Sequence, residues 1–327
     1  MKSHDDFELK RALDALPRSI EPPTDFWPDI KPRLAARRRG WRTGRTGSMR
    51  IAASIALLAA GIAGFAAVRR TQSTWHLAGV SGAPSRVYRV GESLNTDDTS
   101  RATLRVANIG EVEIEPNTRV RLVTARATVH RLALDRGVIH ARISAPPRLF
   151  FVETPSALAV DLGCAYDLEV DEQGNSMLHV TLGWVSFEEG GRESLVPAGM
   201  RSITRTGLGV GTPFADDAPE AMRRALIAFD FERGGDSALG LVLRGARAGD
   251  AITLWHLISR VDASRRAEVY DRLASLAPPP QGVTREAALR LDHAALRLWW
   301  ETLPGSIPIT SDWGKTLWRL WLKLTAW

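Results

Sequence analysis

Eighteen consecutive residues, 51–68, carry no charge and no proline. As a helix they would rise roughly 27 Å at about 1.5 Å per residue, close to the ~30 Å hydrocarbon core of a bilayer. A soluble core helix seldom runs so far without a charge on one side, so the run reads as one transmembrane helix. Its flanks differ. The 20 residues before it hold eight cations (Lys31, Arg33, Arg37, Arg38, Arg39, Arg42, Arg45 and Arg50), and the 20 after it hold three (Arg69, Arg70 and Arg86). Positive charge is retained on the cytoplasmic side, which puts the N-terminus inside and residues after 70 outside. A second reading stays open. Met49-Arg50 can serve as a start, with Gly64 and Ala66 as a small-x-small cleavage pattern, and the run is then a secretory signal that leaves no cytoplasmic part.

The 50 residues before the run hold 12 Lys and Arg against 7 Asp and Glu, so they account for +5 of the formal +6. The basic excess sits at one short end, which argues against a broad nucleic-acid-binding face; no direct DNA binding is expected. This end divides into two amphipathic pieces. The first, 5–16, carries Phe7, Leu9, Leu13 and Leu16 and stops at Pro17. The second opens on the cap residues Thr24 and Asp25 and carries Phe26, Trp27, Ile30 and Leu34, with Pro28 and Pro32 shortening it. Neither can bury a core alone. Folding onto a partner is their natural use, with Phe26, Trp27, Ile30 and Leu34 as the contact. The basic linker that follows, Arg37, Arg38 and Arg39 above all, suits anionic lipid headgroups.

From about 71 to 206 the period changes to two. Runs at 102–106, 112–115, 120–122, 138–143, 149–153, 158–162, 166–170, 178–182 and 184–187 alternate or are continuously apolar. Turn signals at 108–110, 116–117, 135–137, 146–147 and 172–175 separate them. Many short strands at this spacing give an all-β unit.

The order of these strings carries a resemblance. They run Gly91-x-x-Leu94-x-Thr96, Ala102-x-Leu104-x-Val106, Glu115-Pro116-Asn117-Thr118-x-Val120-x-Leu122 and Leu134-x-x-Gly137-Val138-x-His140-x-x-Ile143. Phe151-Val152-Glu153-Thr154-Pro155, Gly163-Cys164-Ala165-Tyr166-x-Leu168, Val180-x-Leu182-Gly183-Trp184-Val185 and Ala198-Gly199 follow. This set resembles the FecR domain, the extracytoplasmic module of membrane-anchored regulators of extracytoplasmic-function sigma factors. Two strings depart from that family: its acidic turn is Asn108-Ile109-Gly110 here, and its G-T-x-F is Gly163-Cys164-Ala165-Tyr166. The resemblance implies a β-helical or sandwich-like core, a bacterial inner-membrane location with the C-terminus in the periplasm, a sigma factor as cytoplasmic partner and a protein partner outside.

Chemistry is sparse. The single cysteine, Cys164, excludes an intramolecular disulfide and any one-chain zinc site needing two thiolates. Asp167, Glu169 and Asp171 share one strand face, and with Gly174 and Asn175 they make a calcium loop conceivable, without the spacing of an EF-hand. His130, His140 and His179 fall in β runs and can converge, although ordinary polar strand positions explain them more simply. No nucleophile-elbow or phosphate-loop string occurs. No catalytic residue, cofactor or metal is expected, and the chain does not read as an enzyme.

Residues 207–216 read as a linker and 217–327 as an α-helical bundle, with helices at 217–233, 237–247, 251–261, 263–276 and 284–303. Of 11 tryptophans, 7 lie between Trp255 and Trp327. Near the end, Trp313, Leu317, Leu320, Trp321, Leu324 and Trp327 share one side of a helix, and Lys315, Arg319 and Lys323 lie opposite. That pattern suits a membrane interface, and equally a last helix packed on the bundle. The whole is thus a mixed, multi-domain chain: a helical tail (1–50), a transmembrane helix (51–68), an all-β FecR-like domain (71–206) and a helical domain (217–327). The expected function is a single-pass regulator that holds a sigma factor through its tail. The alternative is an envelope structural or interaction protein that binds a protein or polymer and no sigma factor.

Overall fold

A computed structural model describes residues 73–78 and 85–303, all within one compact unit. The apolar run 51–68, the contact residues Phe26, Trp27, Ile30 and Leu34, the headgroup residues Arg37, Arg38 and Arg39, and Trp313, Lys315, Arg319, Trp321 and Lys323 lie outside the described residues. Among those described, no helix is long and apolar enough to cross a membrane.

The chain forms strands β1 (Trp75–Ala78), β2 (Arg86–Tyr88), β3 (Ser93–Asn95), β4 (Ala102–Val106), β5 (Gly110–Ile114), β6 (Arg119–Arg126), β7 (Val129–Ile143) and β8 (Phe150–Glu153). Then come β9 (Leu158–Asp161), β10 (Ala165–Val170), β11 (Ser176–Leu182), β12 (Trp184–Glu189), β13 (Arg192–Pro197), β14 (Met200–Arg205), β15 (Gly209–Val210) and β16 (Phe214–Ala215). They build two sheets that share β7. The first has the order β3-β6-β7-β8-β9-β12-β13. The second has the order β2-β1-β4-β5-β7-β10-β11-β14, with β15 and β16 on the far edge of β14. Residues up to Arg136 of β7 pair with β6, and residues from Gly137 onward pair with β10.

Alternation produces the core. In β4, Ala102, Leu104 and Val106 point inward and are buried; in β6, Val120, Leu122 and Ala125 do the same. The two sheets meet face to face. Trp75 of the second sheet stacks on Phe150 of the first at 6.1 Å and donates its indole N–H to His130 Nδ1 at 3.0 Å. Among the described pairs only β7 with β8 is parallel. Of the two expected architectures, β-helical or sandwich-like, the pairing of the described strands fits the second, a sandwich of largely antiparallel sheets.

The expected turn at 135–137 is also corrected. Asp135, Arg136 and Gly137 lie inside β7, at the point where the strand leaves one sheet for the other. Gly137 has φ +92°, and an added Cβ would sit 2.3 Å from Thr118 Oγ1. Thr118 in turn accepts from the Val138 N–H at 3.0 Å, so a side chain supplies the pairing that the bent backbone forgoes. A polar pair followed by glycine looks the same in a bend as in a turn. The true reversal comes at 127–128, between β6 and β7.

Six helices follow: α1 (Glu220–Phe231), α2 (Gly235–Gly245), α3 (Ala251–Arg260), α4 (Arg266–Leu276), α5 (Arg285–Leu289) and α6 (His293–Trp300). Residues 284–303, expected as one helix, are two. Leu291 takes φ +59°, and Asp292 starts α6 by accepting from the Ala295 N–H. Thr284 caps α5 on the Ala287 N–H, as its position suggested. The segment 207–216 belongs to the sheet through β15 and β16, with Phe214 and Ala215 buried.

The helices share the hydrophobic core of the sheets. Beside the aromatic contacts of Trp184 and Trp255 with Trp300, a polar hub ties them together. From α3, Arg260 donates to Glu193 O, Ser194 Oγ and Thr212 Oγ1 at 2.7–2.9 Å. Asp230 at the end of α1 accepts from Arg192 and from the Thr212 N–H, both at 2.6 Å, with Arg260 at 3.9 Å. Both side chains are almost sealed, Arg260 at 6% exposure and Asp230 at 2%. One turn before Arg260, His256 Nε2 donates to Leu195 O at 3.2 Å. The free edge of β13, which pairs only with β12, thus has alternate carbonyls covered by one helix face. Removing one partner of a buried charge pair costs about 3–5 kcal/mol. Asp230→Ala is therefore expected to lose about that much stability in urea unfolding, whereas Asp236→Ala, an exposed site, should lose less than about 1 kcal/mol.

Candidate functional site

The outer face of the second sheet carries the largest run of facing polar groups. Register places Glu113, His140, Asp167, His179 and Arg201 side by side on β5, β7, β10, β11 and β14. His140 Nδ1 lies 2.6 Å from Asp167 Oδ1, and its Nε2 lies 3.3 Å from Glu115. His179 Nδ1 lies 3.2 Å from Asp167 Oδ2, and its Nε2 lies 2.8 Å from Asp216, which also accepts from Arg201. Acidic and basic groups alternate from β5 to β11, and His179 and Arg201, both basic, share Asp216. Such cross-strand pairs fix register and contribute a few tenths of a kcal/mol to about 1 kcal/mol each. The row presents a hydrogen-bonding surface built from paired carboxylates, imidazoles and a guanidinium.

Two of the three histidines thus converge on Asp167, and the third does not. His130 points into the core, where the Trp75 N–H occupies its Nδ1 and burial holds its pKa below the ordinary value. It is a neutral packing residue. The carboxylate run separates as well. Glu169 is exposed, and Asp171 closes its own turn by accepting from the Gln173 and Asn175 backbone N–H groups. These bonds hold the Asp171 carboxyl below its usual range despite some desolvation. Among the described residues no group of three or more His, Cys, Asp or Glu side chains is placed to hold a metal.

A polar cleft of about 720 Å³ opens where the β7 bend meets the β10–β11 turn, lined by Asn95, Arg119, Asp135, Arg136, Asp171 and Glu172. Arg119 and Asp135 pair across it at 3.2 Å. It brings charges of both signs together and has no aromatic wall.

Two buried polar sites were not singled out from sequence. Asp161, fully buried at the end of β9, accepts from the Gly163 N–H at 2.7 Å and lies 2.6 Å from Cys164 Sγ. Burial pushes its carboxyl up to about 7, and burial also raises the Cys164 thiol well above its usual value, so this thiol is inert. On the outer side of the first sheet, Ser186 stands between Glu188 and Glu193. A lone acid closing the apolar run 158–162 was a legible signal for the first site. Glu193 sits in a polar stretch and gave none.

Residues 92–186 match the family model described as FecR protein, and this part of the chain is a FecR domain. No curated protein matches the chain significantly. Two crystal structures of a candidate anti-sigma factor from Parabacteroides distasonis are similar, each at 14% identity and TM-score 0.34. The similarity covers 42% of this chain and 64% of the other, so it spans less than two thirds of that protein's length.

Asp161 lies within the matched stretch and makes it titrate. Its folded value, about 7, stands above the ordinary 3.8. The stability it contributes is therefore fully present below about pH 4 and lost as pH rises through 7. Asp161→Asn, which keeps the shape and the acceptor for Gly163, should flatten the fall in melting temperature between pH 5 and 8; an unaltered pH slope in the variant would refute this.

Proposed function

We propose that this chain is a single-pass membrane regulator that controls an extracytoplasmic-function sigma factor through residues 1–50. The FecR domain at 92–186, preceded by an 18-residue apolar run with asymmetric basic flanks, is the observation that carries the reading. In this account the sheets lie outside the cytoplasm and meet a protein partner there. The N-terminal pieces, with Phe26, Trp27, Ile30 and Leu34, hold the sigma factor, while Arg37, Arg38 and Arg39 rest on the inner headgroups. The Trp- and Lys-bearing tail, with Trp313, Lys315, Arg319, Trp321 and Lys323, meets the membrane from the other side.

The coupling is thermodynamic. An outer partner can release the sigma factor only if it binds one arrangement of the chain more tightly than another. The polar row from Glu113 to Arg201 and the mixed-charge cleft offer such a partner hydrogen bonds. No step in this account requires bond-making chemistry, a cofactor or a metal.

Affinity capture of the tagged full-length chain from its host membranes tests the proposal. A sigma factor should co-purify, and the double substitution Trp27→Ala/Ile30→Ala should reduce its recovery at least about tenfold, since two buried apolar anchors contribute several kcal/mol. Absence of any sigma factor, from a chain that is membrane-inserted and cooperatively folded, would overturn it in favour of an envelope interaction protein.

A further inference from the structure

Ser186 poses a hydrogen-counting problem. Its Oγ lies 3.0 Å from Glu188 Oε1 and 2.5 Å from Glu193 Oε1. A hydroxyl carries one hydrogen, so with both carboxylates ionised one of these contacts would bring two acceptors together. The geometry closes when one carboxyl keeps a proton. Glu188 is the carboxylate with a cation against it: Arg148 Nη1 donates to its Oε1 at 3.1 Å. Glu193 is then the donor: it gives its proton to Ser186 Oγ, and Ser186 gives its own to Glu188.

Where this pair sits makes it more than a surface contact. Glu188 and Glu193 face each other across β12 and β13. The backbone carbonyl of Glu193 accepts from Arg260, and that of Leu195 accepts from His256, so the same short strand is the platform on which α3 is seated. Arg260 also reaches Ser194 Oγ.

We propose that Glu193 and Glu188 share one proton through Ser186, and that this proton sets how firmly β13, and with it α3, is held. The junction between the first sheet and the helices is then a proton-responsive contact, independent of whether a sigma factor is the inner partner. With the proton bound, the chain Glu193–Ser186–Glu188–Arg148 is fully satisfied. When it leaves, a second negative charge faces Glu188, with Arg148 nearby and no new donor from Ser186.

The surrounding groups support this assignment. Desolvation raises the Glu193 carboxyl most and the Glu188 charge adds to it, against Arg148 and against the hydrogen bond that Ser186 would donate to an ionised Glu193, to about 7. The Arg260 guanidinium, drawn down to about 9 by its own burial, stays charged throughout this range, and burial keeps His256 neutral. Neither changes state between pH 6 and 8, so the carboxyl pair is the responsive element at this junction. The sign follows: Glu193 takes up its proton more readily in the fold than its ordinary 4.5 allows, so the support it gives is present at low pH and lost as pH rises through 7.

Amide hydrogen exchange at pH 6 and pH 8, corrected for the intrinsic rate, reads this directly in the full-length chain carrying Asp161→Asn, which removes the other carboxyl held near 7. Protection across 192–197 and 251–260 should fall about tenfold between the two. Glu193→Gln, which carries the hydrogens of the protonated acid, should abolish the fall. Glu188→Gln, which removes the facing charge, should move it to lower pH. Equal protection at both pH values in the Asp161→Asn chain that keeps Glu193, a tenfold fall there that survives Glu193→Gln, or an unmoved midpoint in Glu188→Gln would each overturn the proposal.

Discussion

One strand belongs to both sheets, and the fold is arranged around it. β7 pairs with β6 and β8 in its first half and with β5 and β10 in its second. A single chain can serve two stacked sheets only if it bends sharply without losing backbone partners. Gly137 supplies the bend because it tolerates positive φ and leaves no Cβ against Thr118, and Thr118 restores the missing pairing. The positions of His140 and, through β10, of Asp167 follow from the register beyond this point. The exposed polar row is thus a consequence of where the strand turns.

The helices are a second layer on this frame and not a free module. They share the apolar core, and Arg260 and Asp230 make their docking specific. A buried guanidinium tolerates few positions; here it is satisfied by a carbonyl, two hydroxyls and a nearby carboxylate, all fixed by β13, the segment before β16 and α1. The same contacts cover the edge of β13, where an exposed strand would otherwise invite pairing with other chains.

Period-two alternation made most strands legible, since each faces core on one side and water on the other. Ala102–Val106 is the clearest instance, with the observed strand ending where the alternation ends. The first half of β7 was not legible, because Asp135-Arg136-Gly137 carries turn chemistry at a bend. The break between α5 and α6 was hidden for a related reason: Arg290, Leu291 and Asp292 fit a helical period, and the left-handed turn that ends α5 falls on Leu291 and not on a glycine. At the candidate site, His140 and Asp167 could be placed on strands but not against each other, because register across three strands is a tertiary property. The Ser186–Glu193 contact was likewise unreadable, since polar residues beside a hairpin turn ordinarily face water.

The described residues form a sandwich that carries the FecR domain, with helices seated on one edge. The proposed regulatory role requires a bilayer between these residues and residues 1–50. Protease treatment of intact spheroplasts holding the full-length chain, tagged at both ends, tests this most directly. The account predicts that the N-terminal tag survives until the membrane is permeabilised, while the C-terminal tag is removed at once. Loss of both tags, or protection of both, would contradict a chain that crosses the membrane once with its sandwich outside.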